Sequence, residues 1–337
     1  MPSSAESRPP TLDEVAARAG VSRTVVSRVV NNGPHVSRAK RDAVEKAIRE
    51  LGYTPNRAAR SLVTRQSGVV VLVVSGDGPE VFADPFFAQI IVGASATLEK
   101  TPLHLMLSLA TPTHGRQRLR DFLQTRGADG VMLVAMRGDD PLITIAERSG
   151  LPTVFVGLPL NGTPPSYVEV DNAGGSRAAT EHLLRGGRRR IVMITGPEDT
   201  SVGRERRRGF TEALLLAGLA PYAIEPGDFL QDGGATAMRA LLSTHPDLDA
   251  VVAANDNMAA GALRVLRDAG RSVPGDVAVV GFDDQPIAMH TDPKLTTVYQ
   301  PVQALGREAA RMLVDLLDGA KPEPFILPTR LIVRESA

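Results

Sequence analysis

Apolar residues in the first sixty positions recur at the three- and four-residue spacing of short amphipathic helices. Helices are predicted over 12–19, 23–30 and 38–51, and the pair Thr11 and Glu14 forms the pattern of a capping box that opens the first one. Two short helices joined by a tight glycine-containing turn, with a third that closes the core, are typical of a helix-turn-helix unit. The second helix turns its valines inward and leaves a polar face formed by Ser22, Arg23, Thr24, Ser27 and Arg28.

The rest of the chain alternates continuously apolar runs with helical stretches. Strands are predicted over 69–74, 104–109, 130–134, 152–156, 191–194, 250–253 and 277–281. Helices are predicted over 86–98, 116–125, 141–148, 173–184, 204–217, 237–243 and 258–269. Runs without polar alternation favour strands buried on both faces of a parallel sheet, and their alternation with helices indicates doubly wound α/β structure. In such folds a ligand binds beyond the carboxyl ends of the strands.

Composition adds a charge asymmetry to this pattern. The chain has 337 residues, no net charge and no cysteine, and 43% of its residues are hydrophobic. Residues 1–65 carry 12 basic and 6 acidic side chains, so a head of net charge +6 precedes a body of net charge −6. The head is therefore expected to meet a polyanion. No apolar run approaches the roughly 20 residues of a membrane span, and we expect a cytoplasmic protein without a membrane partner.

Motifs of catalysis are missing from the sequence. There is no P-loop lysine motif and no Gly-x-Ser-x-Gly motif, and the histidines have no metal-ligand spacing. We therefore expect a protein that is not an enzyme and that uses no metal and no cofactor.

The headpiece resembles a known family of regulators. The segments that carry the resemblance are Thr11-Leu-Asp-Glu-Val-Ala-Ala-Arg-Ala-Gly-Val-Ser22, Val26-Ser-Arg-Val-Val-Asn31, Glu50-Leu-Gly-Tyr-Thr-Pro-Asn56 and Ala59-Arg-Ser-Leu62. They are similar to the DNA-binding headpiece of the LacI/GalR (lactose-repressor) family. The resemblance implies that Arg23 and Thr24 choose bases, and that Arg28 contacts a base or a phosphate. Phosphate contacts are implied for Ser22, Ser27 and Asn31.

The same resemblance implies a hinge helix after the headpiece. Leu62 falls at the position of a leucine wedge that enters the minor groove at the centre of the operator, with Ala59 packed near the partner's helix. Unstacking a base step costs roughly a few kcal/mol, which the contacts of the bent DNA offset. Thr11, Asn56 and Arg57 complete the expected set of DNA contacts.

The resemblance extends through the body and implies a type I periplasmic-binding-protein-like core of two doubly wound subdomains. The expected organisation is a disordered N-terminus (1–10), a helix-turn-helix domain (11–54), a hinge (55–65) and an effector-binding and dimerisation core (66–337). Within the core, one subdomain is expected over 66–167 and 296–323, and the other over 168–295 and 324–337. The chain would cross between them near 166–170, 293–297 and 323–325.

The resemblance also implies an effector site between the subdomains. The expected contacts are Phe86, Phe87, Arg204, Phe229, Asn255 and Asp283. An arginine, an amide and a carboxylate suit sugar hydroxyls, and we expect a glucose- or galactose-type mono- or oligosaccharide. Gly157 stands where relatives often carry a polar ligand contact, and a purine-type corepressor held between aromatic rings stays an alternative.

Taken together, these features predict a homodimeric repressor of a pseudo-palindromic double-stranded DNA operator, switched by a small molecule. Two other classes of protein fit the sequence less well. A carbohydrate-binding protein of the cell envelope would begin with a signal peptide and lack the headpiece. An α/β enzyme with a DNA-binding head would need a catalytic constellation.

Overall fold

The computed structural model describes residues 8, 10–30, 33–54, 66–75, 84–112, 114–134, 137, 138 and 140–337. The chain divides into two compact units, 1–67 and 68–337. No helix among the described residues is both long enough and apolar enough to cross a bilayer.

The first unit is the predicted three-helix headpiece. Its helices are α1 (Leu12–Ala19), α2 (Arg23–Val30) and α3 (Arg38–Leu51). The core residues are Val15, Ala16, Val26, Val29, Val44, Ala47 and Tyr53. The capping box forms as expected, with the Glu14 N–H donating to the Thr11 hydroxyl at 3.3 Å and the Thr11 N–H donating to Glu14 Oε2 at 2.6 Å.

The second unit contains two six-stranded sheets with flanking helices. The strands are β1 (Val69–Val74), β2 (His104–Leu109), β3 (Gly130–Val134), β4 (Thr153–Val156), β5 (Tyr167–Val170), β6 (Ile191–Thr195), β7 (Ala223–Pro226), β8 (Ala250–Ala253), β9 (Ala278–Asp283), β10 (Thr296–Tyr299), β11 (Phe325–Leu327) and β12 (Arg330–Ile332). The helices are α4 (Pro85–Leu98), α5 (Gly115–Gln124), α6 (Pro141–Ser149), α7 (Asn172–Arg185), α8 (Ser201–Leu216), α9 (Gln231–Thr244), α10 (Asp256–Asp268) and α11 (Val302–Leu317), and a 3-10 turn spans Pro286–Met289.

Both sheets have a topological switch point. The first sheet has the order β11-β5-β4-β3-β1-β2 and the second has the order β12-β10-β9-β8-β6-β7. All strand pairs are parallel except β10 with β12. The chain therefore reverses its winding between β1 and β3 in the first sheet, and between β6 and β8 in the second. Ligands of open α/β sheets bind outside the carboxyl ends of strands at such points.

The chain crosses between the two sheets a few residues later than the sequence predicted. β5 and β11 belong to the first sheet, whereas 168–170 and 325–327 were expected in the second subdomain. β10 belongs to the second sheet, although 296–299 was expected in the first subdomain. In each case the extended segment that was expected to form the crossing is a strand, and it pairs in the sheet from which the chain departs. The crossings lie at 171, 300–301 and 328–329.

Two helices begin earlier than their apolar pattern suggested. α8 was expected from 204 and begins at Ser201, and α9 was expected from 237 and begins at Gln231. Glycines obscure these first turns because glycine is a poor helix former. At Gly234 the reason for glycine is close packing, since a Cβ atom there would come within 2.3 Å of the Met258 carbonyl oxygen on α10.

Candidate functional site

The second helix of the headpiece presents a polar face to solvent. Ser22, Arg23, Thr24 and Arg28 are exposed, whereas Ser27 is half-buried. An exposed helix start with a guanidinium and a threonine methyl carries the groups that read guanine and thymine edges in a major groove.

Two of the predicted DNA contacts have partners within the headpiece. Arg23 Nη1 lies 3.4 Å from Asp13 Oδ2, and both side chains are about two-thirds exposed (68% and 67%). An exposed pair of this kind is worth less than about 1 kcal/mol, so Arg23 is free to exchange it for a DNA contact. Thr11 is engaged as the cap of α1, and its hydrogen bonds with Glu14 hold the pKa of that carboxyl below its ordinary value.

The remaining predicted DNA contacts, Asn31, Asn56, Arg57, Ala59 and Leu62, lie outside the described residues.

The body contains a cleft of about 390 Å³ at the carboxyl ends of the strands of both sheets. This volume lies in the range of roughly 300–1,000 Å³ that is usual for small-molecule sites. Five of the six predicted effector residues line the cleft: Phe86, Phe87, Phe229, Asn255 and Asp283. Polar residues of the lining that the sequence analysis did not single out are Ser75, Asp84, Arg116, Arg137, Asp140, Glu169, Asn172, Thr200, Ser201, Arg206, Asp228 and Gln300.

Arg206 is the buried cation at the centre of this cleft. Its side chain is 4% exposed, and its Nη1 atom lies 3.0 Å from Asp283 Oδ1. Its Nε donates to Asn172 Oδ1 at 2.8 Å, and Nη1 also donates to the Ala254 carbonyl at 2.5 Å. The guanidinium carbon lies 3.6 Å from the centroid of the Phe282 ring. The guanidinium is thus held in one orientation by contacts on its edge and on its face.

The structure corrects the prediction of Arg204. Arg204 is exposed, its Nε donates to the Glu198 carbonyl at 2.9 Å, and it does not line the cleft. The two arginines are two residues apart on α8 and therefore lie on different faces of the helix. Arg206 shares the inward face with Gly203 and Phe210, and this three- and four-residue spacing was the signal in the sequence that could have identified it.

Asp283 ends strand β9 in a strained and buried position. Its φ of 106° lies in a region that side-chain-bearing residues rarely adopt, and such strain clusters at functional sites. Gln300 Nε2 donates to Asp283 Oδ1 at 2.6 Å. Burial raises the pKa of Asp283 to about 7, against the lowering effect of Arg206, and the nearby charge of Asp84 raises it as well. At neutral pH this carboxyl is poised between its neutral and charged forms.

Two further carboxyls of the cleft are held by backbone and amide donors. Glu169 accepts from the Leu158 N–H at 3.0 Å and from Asn172 Nδ2 at 3.0 Å. Asp84 caps α4 through the Phe86 N–H at 2.9 Å. Burial raises the pKa of both carboxyls above their ordinary values. The centre of the cleft thus holds one arginine among several carboxyls whose charge is costly.

Asn255 positions Phe229 at the cleft wall. Its Oδ1 accepts from the Met258 N–H at 2.9 Å at the start of α10, and its Nδ2 donates to the Phe229 carbonyl at 2.9 Å. Phe229 has a φ of 70°, and its ring packs on Gly196, where a Cβ atom would come within 2.3 Å of the ring. Asn255 therefore fixes the geometry of an aromatic wall in addition to lining the cleft.

Phe86 and Phe87 supply apolar surface from the other subdomain. Their ring centroids are 5.4 Å apart at an interplanar angle of 87°, an edge-to-face arrangement. Together with Phe229 they give a cleft with apolar walls and a few fixed polar groups, which is the usual make-up of a small-molecule site.

Comparison with known proteins gives two domain matches. Residues 11–56 match the lacI family of bacterial regulatory proteins, and residues 180–337 match a periplasmic-binding-protein-like domain. These matches fall on the headpiece and on the second half of the body.

Curated relatives match the chain along nearly its whole length. The HTH-type transcriptional regulator CelR of Thermobifida fusca is 48% identical over 98% of each chain. The HTH-type transcriptional repressor CytR of Escherichia coli K12 is 34% identical over 92% of this chain and 90% of its own.

Solved structures agree with this. A complex of the transcriptional regulator CelR with cellobiose has a TM-score of 0.78 at 45% identity and covers 97% of this chain and all (100%) of its own. A lac repressor dimer bound to operator and the anti-inducer ONPF has a TM-score of 0.85 at 28% identity, with 98% and 99% covered. The resemblance read from the headpiece and the predicted fold class are confirmed, and this chain belongs to the lacI family of bacterial regulatory proteins.

Proposed function

We propose that this protein is a sequence-specific DNA-binding transcriptional repressor whose operator affinity is controlled by a sugar bound in the cleft of its body. The single observation that carries the effector part is the buried Arg206–Asp283 pair, which faces a cleft walled by phenylalanines. A guanidinium donates hydrogen bonds and a carboxylate accepts them. The pair can therefore bind a sugar hydroxyl both as an acceptor and as a donor.

The DNA-binding part is supported by the headpiece. It is basic, its helix-turn-helix core is complete, and the start of α2 is exposed with Arg23 and Thr24. A dimer is supported by α4, a strongly apolar helix on which Val92 is 54% exposed, and by the lac repressor, which binds its operator as a dimer. A two-fold protein requires a pseudo-palindromic DNA site.

A β-linked glucose oligosaccharide is the proposed class of effector. It is supported by the complex of CelR with cellobiose, since CelR is 48% identical to this chain over nearly its full length. The effector changes operator affinity to the extent that it binds two conformations of the body with different affinity.

The test has two arms on the purified full-length protein. Selection from a random DNA library followed by fluorescence anisotropy measures sequence preference and its salt dependence. Thermal shift and titration calorimetry against glucose, galactose, cellobiose, longer cello-oligosaccharides and a nucleobase panel identify the effector. The proposal expects a palindromic site, binding of a glucose oligosaccharide, and a change in operator affinity when that sugar is added. The proposal would be contradicted if only a purine raised the melting temperature of the protein, or if the protein preferred no DNA sequence over random DNA.

A further inference from the structure

A second polar group lines the cleft at the switch point of the first sheet, apart from the Arg206 centre. Ser75 directly follows β1, Asp140 follows β3, and Arg116 stands in the first turn of α5 after β2. The Arg206 centre draws instead on the second sheet and on the crossing segments, through Asn255, Asp283 and Gln300. Each sheet therefore contributes its own switch point to one cleft.

Asp140 is the fixed anchor of this second group. Its side chain is 2% exposed, and Oδ1 accepts from the Leu142 N–H at 3.0 Å at the start of α6. The Ser75 hydroxyl donates to its other oxygen, Oδ2. Both oxygens are thus held by the protein, and the carboxylate cannot swing away from the cleft.

Arg116 supplies a donor that has no acceptor among the described residues. Its Nη2 atom lies 3.7 Å from Asp140 Oδ1, beyond the usual hydrogen-bond distance, so the two groups are associated by charge. Its Nε is buried and has no hydrogen-bond partner among the described residues. Because a buried donor without an acceptor is unfavourable, an acceptor supplied by a ligand would stabilise the complex here.

The charges of the second group cancel. Arg116 stands beside Asp140, just as Arg206 stands beside Asp283 and as Arg137, at the cleft, stands 3.7 Å from Asp199. A site for an anion would leave its arginines without carboxylate neighbours, whereas paired donors and acceptors suit neutral hydroxyls. The lining of the same cleft also includes apolar side chains, among them Phe86, Phe87 and Val156.

We propose that Ser75, Arg116 and Asp140 form a second subsite that binds the hydroxyls of a second sugar unit and so makes the cleft selective for an oligosaccharide over a single hexose. This inference rests on the proposed sugar effector and names the residues that read its length. The first unit lies at Arg206 and Asp283, and the second lies at Arg116 and Asp140.

Titration calorimetry with glucose and with cellobiose on the full-length protein tests this assignment. The parent is expected to bind cellobiose more tightly than glucose. In Arg116→Gln the Kd for cellobiose is expected to rise roughly ten- to hundredfold, the range for losing a hydrogen bond to a charged group, and the ratio of the glucose Kd to the cellobiose Kd to fall with it. Asp140→Asn, which keeps a side chain able to cap α6, is expected to lower the same ratio. Arg118→Gln is the matched control, because Arg118 is exposed on the same helix and does not line the cleft.

The outcomes separate this inference from the proposed function. If the parent binds neither sugar, the proposed effector is wrong. If the parent binds cellobiose and Arg116→Gln binds it as Arg118→Gln does, the subsite is wrong and the effector class stands. If Arg116→Gln weakens glucose and cellobiose by the same factor, Arg116 does not read ligand length and the inference is likewise overturned. Where glucose binding of the parent is too weak to measure, the cellobiose Kd of Arg116→Gln against that of Arg118→Gln decides.

Discussion

The guanidinium of Arg206 holds the centre of the cleft together, and its removal leaves Asp283 buried beside Asp84 without a cation. Removing one partner of a buried ion pair costs about 3–5 kcal/mol. Arg206→Met is therefore expected to lose that order of stability in denaturant unfolding and to abolish effector binding in calorimetry. Arg204→Met is the matched control on the same helix, expected to stay within about 0.5 kcal/mol because its side chain is exposed. If Arg204→Met lost effector binding and Arg206→Met kept it, Arg204 would be the effector-binding arginine, as the sequence analysis predicted.

Arg204 and Arg206 lie in a run of arginines, which made it difficult to predict from the sequence which of them lines the cleft. Four of the five residues from Arg204 to Arg208 are arginines, so residue type alone does not select one. The helical period does, because Gly203, Arg206, Phe210 and Ala213 share the buried face. Asp283, Asn255 and the phenylalanines were predicted because the resemblance to the LacI/GalR family implies effector contacts at their positions. Arg116 and Asp140 were not predicted, since their place in the cleft depends on which strand ends the sheet order brings together.

The pKa of Asp283 predicts a pH dependence of effector binding. Asp283 is already buried, so a ligand adds little desolvation, whereas ligand hydroxyls that donate to the carboxylate favour its charged form. Effector affinity is therefore expected to rise with pH by up to about tenfold per unit below the pKa of about 7, and to level off above it. Binding near pH 6 should release a fraction of a proton.

Calorimetry between pH 5.5 and about 8, in buffers of different ionisation heats, measures both the affinity and the proton release. Asp283→Asn removes this carboxyl and is expected to weaken the pH dependence, while Asp84 and Glu169, whose pKa values burial also raises, stay in both proteins. No histidine is found among the described residues that line the cleft, so none of these can mimic the effect. A flat profile in the parent would show that the ligand does not use the charged carboxylate.

At the scale of elements, the start of α2 is where DNA sequence is expected to be read. Arg23→Ala should cost about 1–3 kcal/mol of operator binding and relax preference at one base pair of each half-site, since a bidentate arginine contact discriminates by that amount. Arg18→Ala is the control, because Arg18 is similarly exposed but lies on α1 and pairs with Glu50 at 2.5 Å. Anisotropy against single-base operator variants measures both proteins. A uniform loss across all variants would reassign Arg23 to phosphate contact.

Strands with continuously apolar runs were predicted from the sequence, whereas the short strands at the crossings and the long helix α11 were not. The continuously apolar runs that became β1, β3 and β8 were found within a residue of their bounds, because strands buried on both faces have no polar positions. β5, β10 and β12 are only three or four residues long, and they contain Glu169, Thr296 and Arg330, which break the apolar run. Their sheet membership is set by pairing with distant strands, which no local pattern records.

At the scale of the whole body, polar contacts between described residues join the two halves across the cleft. Gln285, after β9, donates through Nε2 to Asp84 Oδ1 at 2.9 Å, and Asp84 is also the cap of α4. At a second place, the Gly138 N–H donates to the Asp199 carbonyl at 2.6 Å. The first contact connects the ligand cleft directly to the helix proposed for dimerisation, which makes it the better candidate for coupling effector binding to the DNA-binding state.

Gln285→Met tests that coupling with little disturbance to folding. The variant removes the donor to Asp84 but also removes Gln285 Oε1, which is buried without a hydrogen-bond partner among the described residues, so the two effects on stability oppose each other. Because this contact joins the two halves across the cleft, losing it is expected to lower the population of the conformation that binds effector, and the apparent Kd is expected to rise roughly tenfold. By linkage, the effector concentration for a half-maximal change in operator affinity should rise by the same factor. Asp199→Asn, which keeps the backbone contact and changes only an exposed ion pair of 3.7 Å, is expected to leave both quantities unchanged. The effector Kd could rise in Gln285→Met while the effector concentration for a half-maximal change in operator affinity stays as in the parent. That result would show that this contact does not couple effector binding to operator affinity.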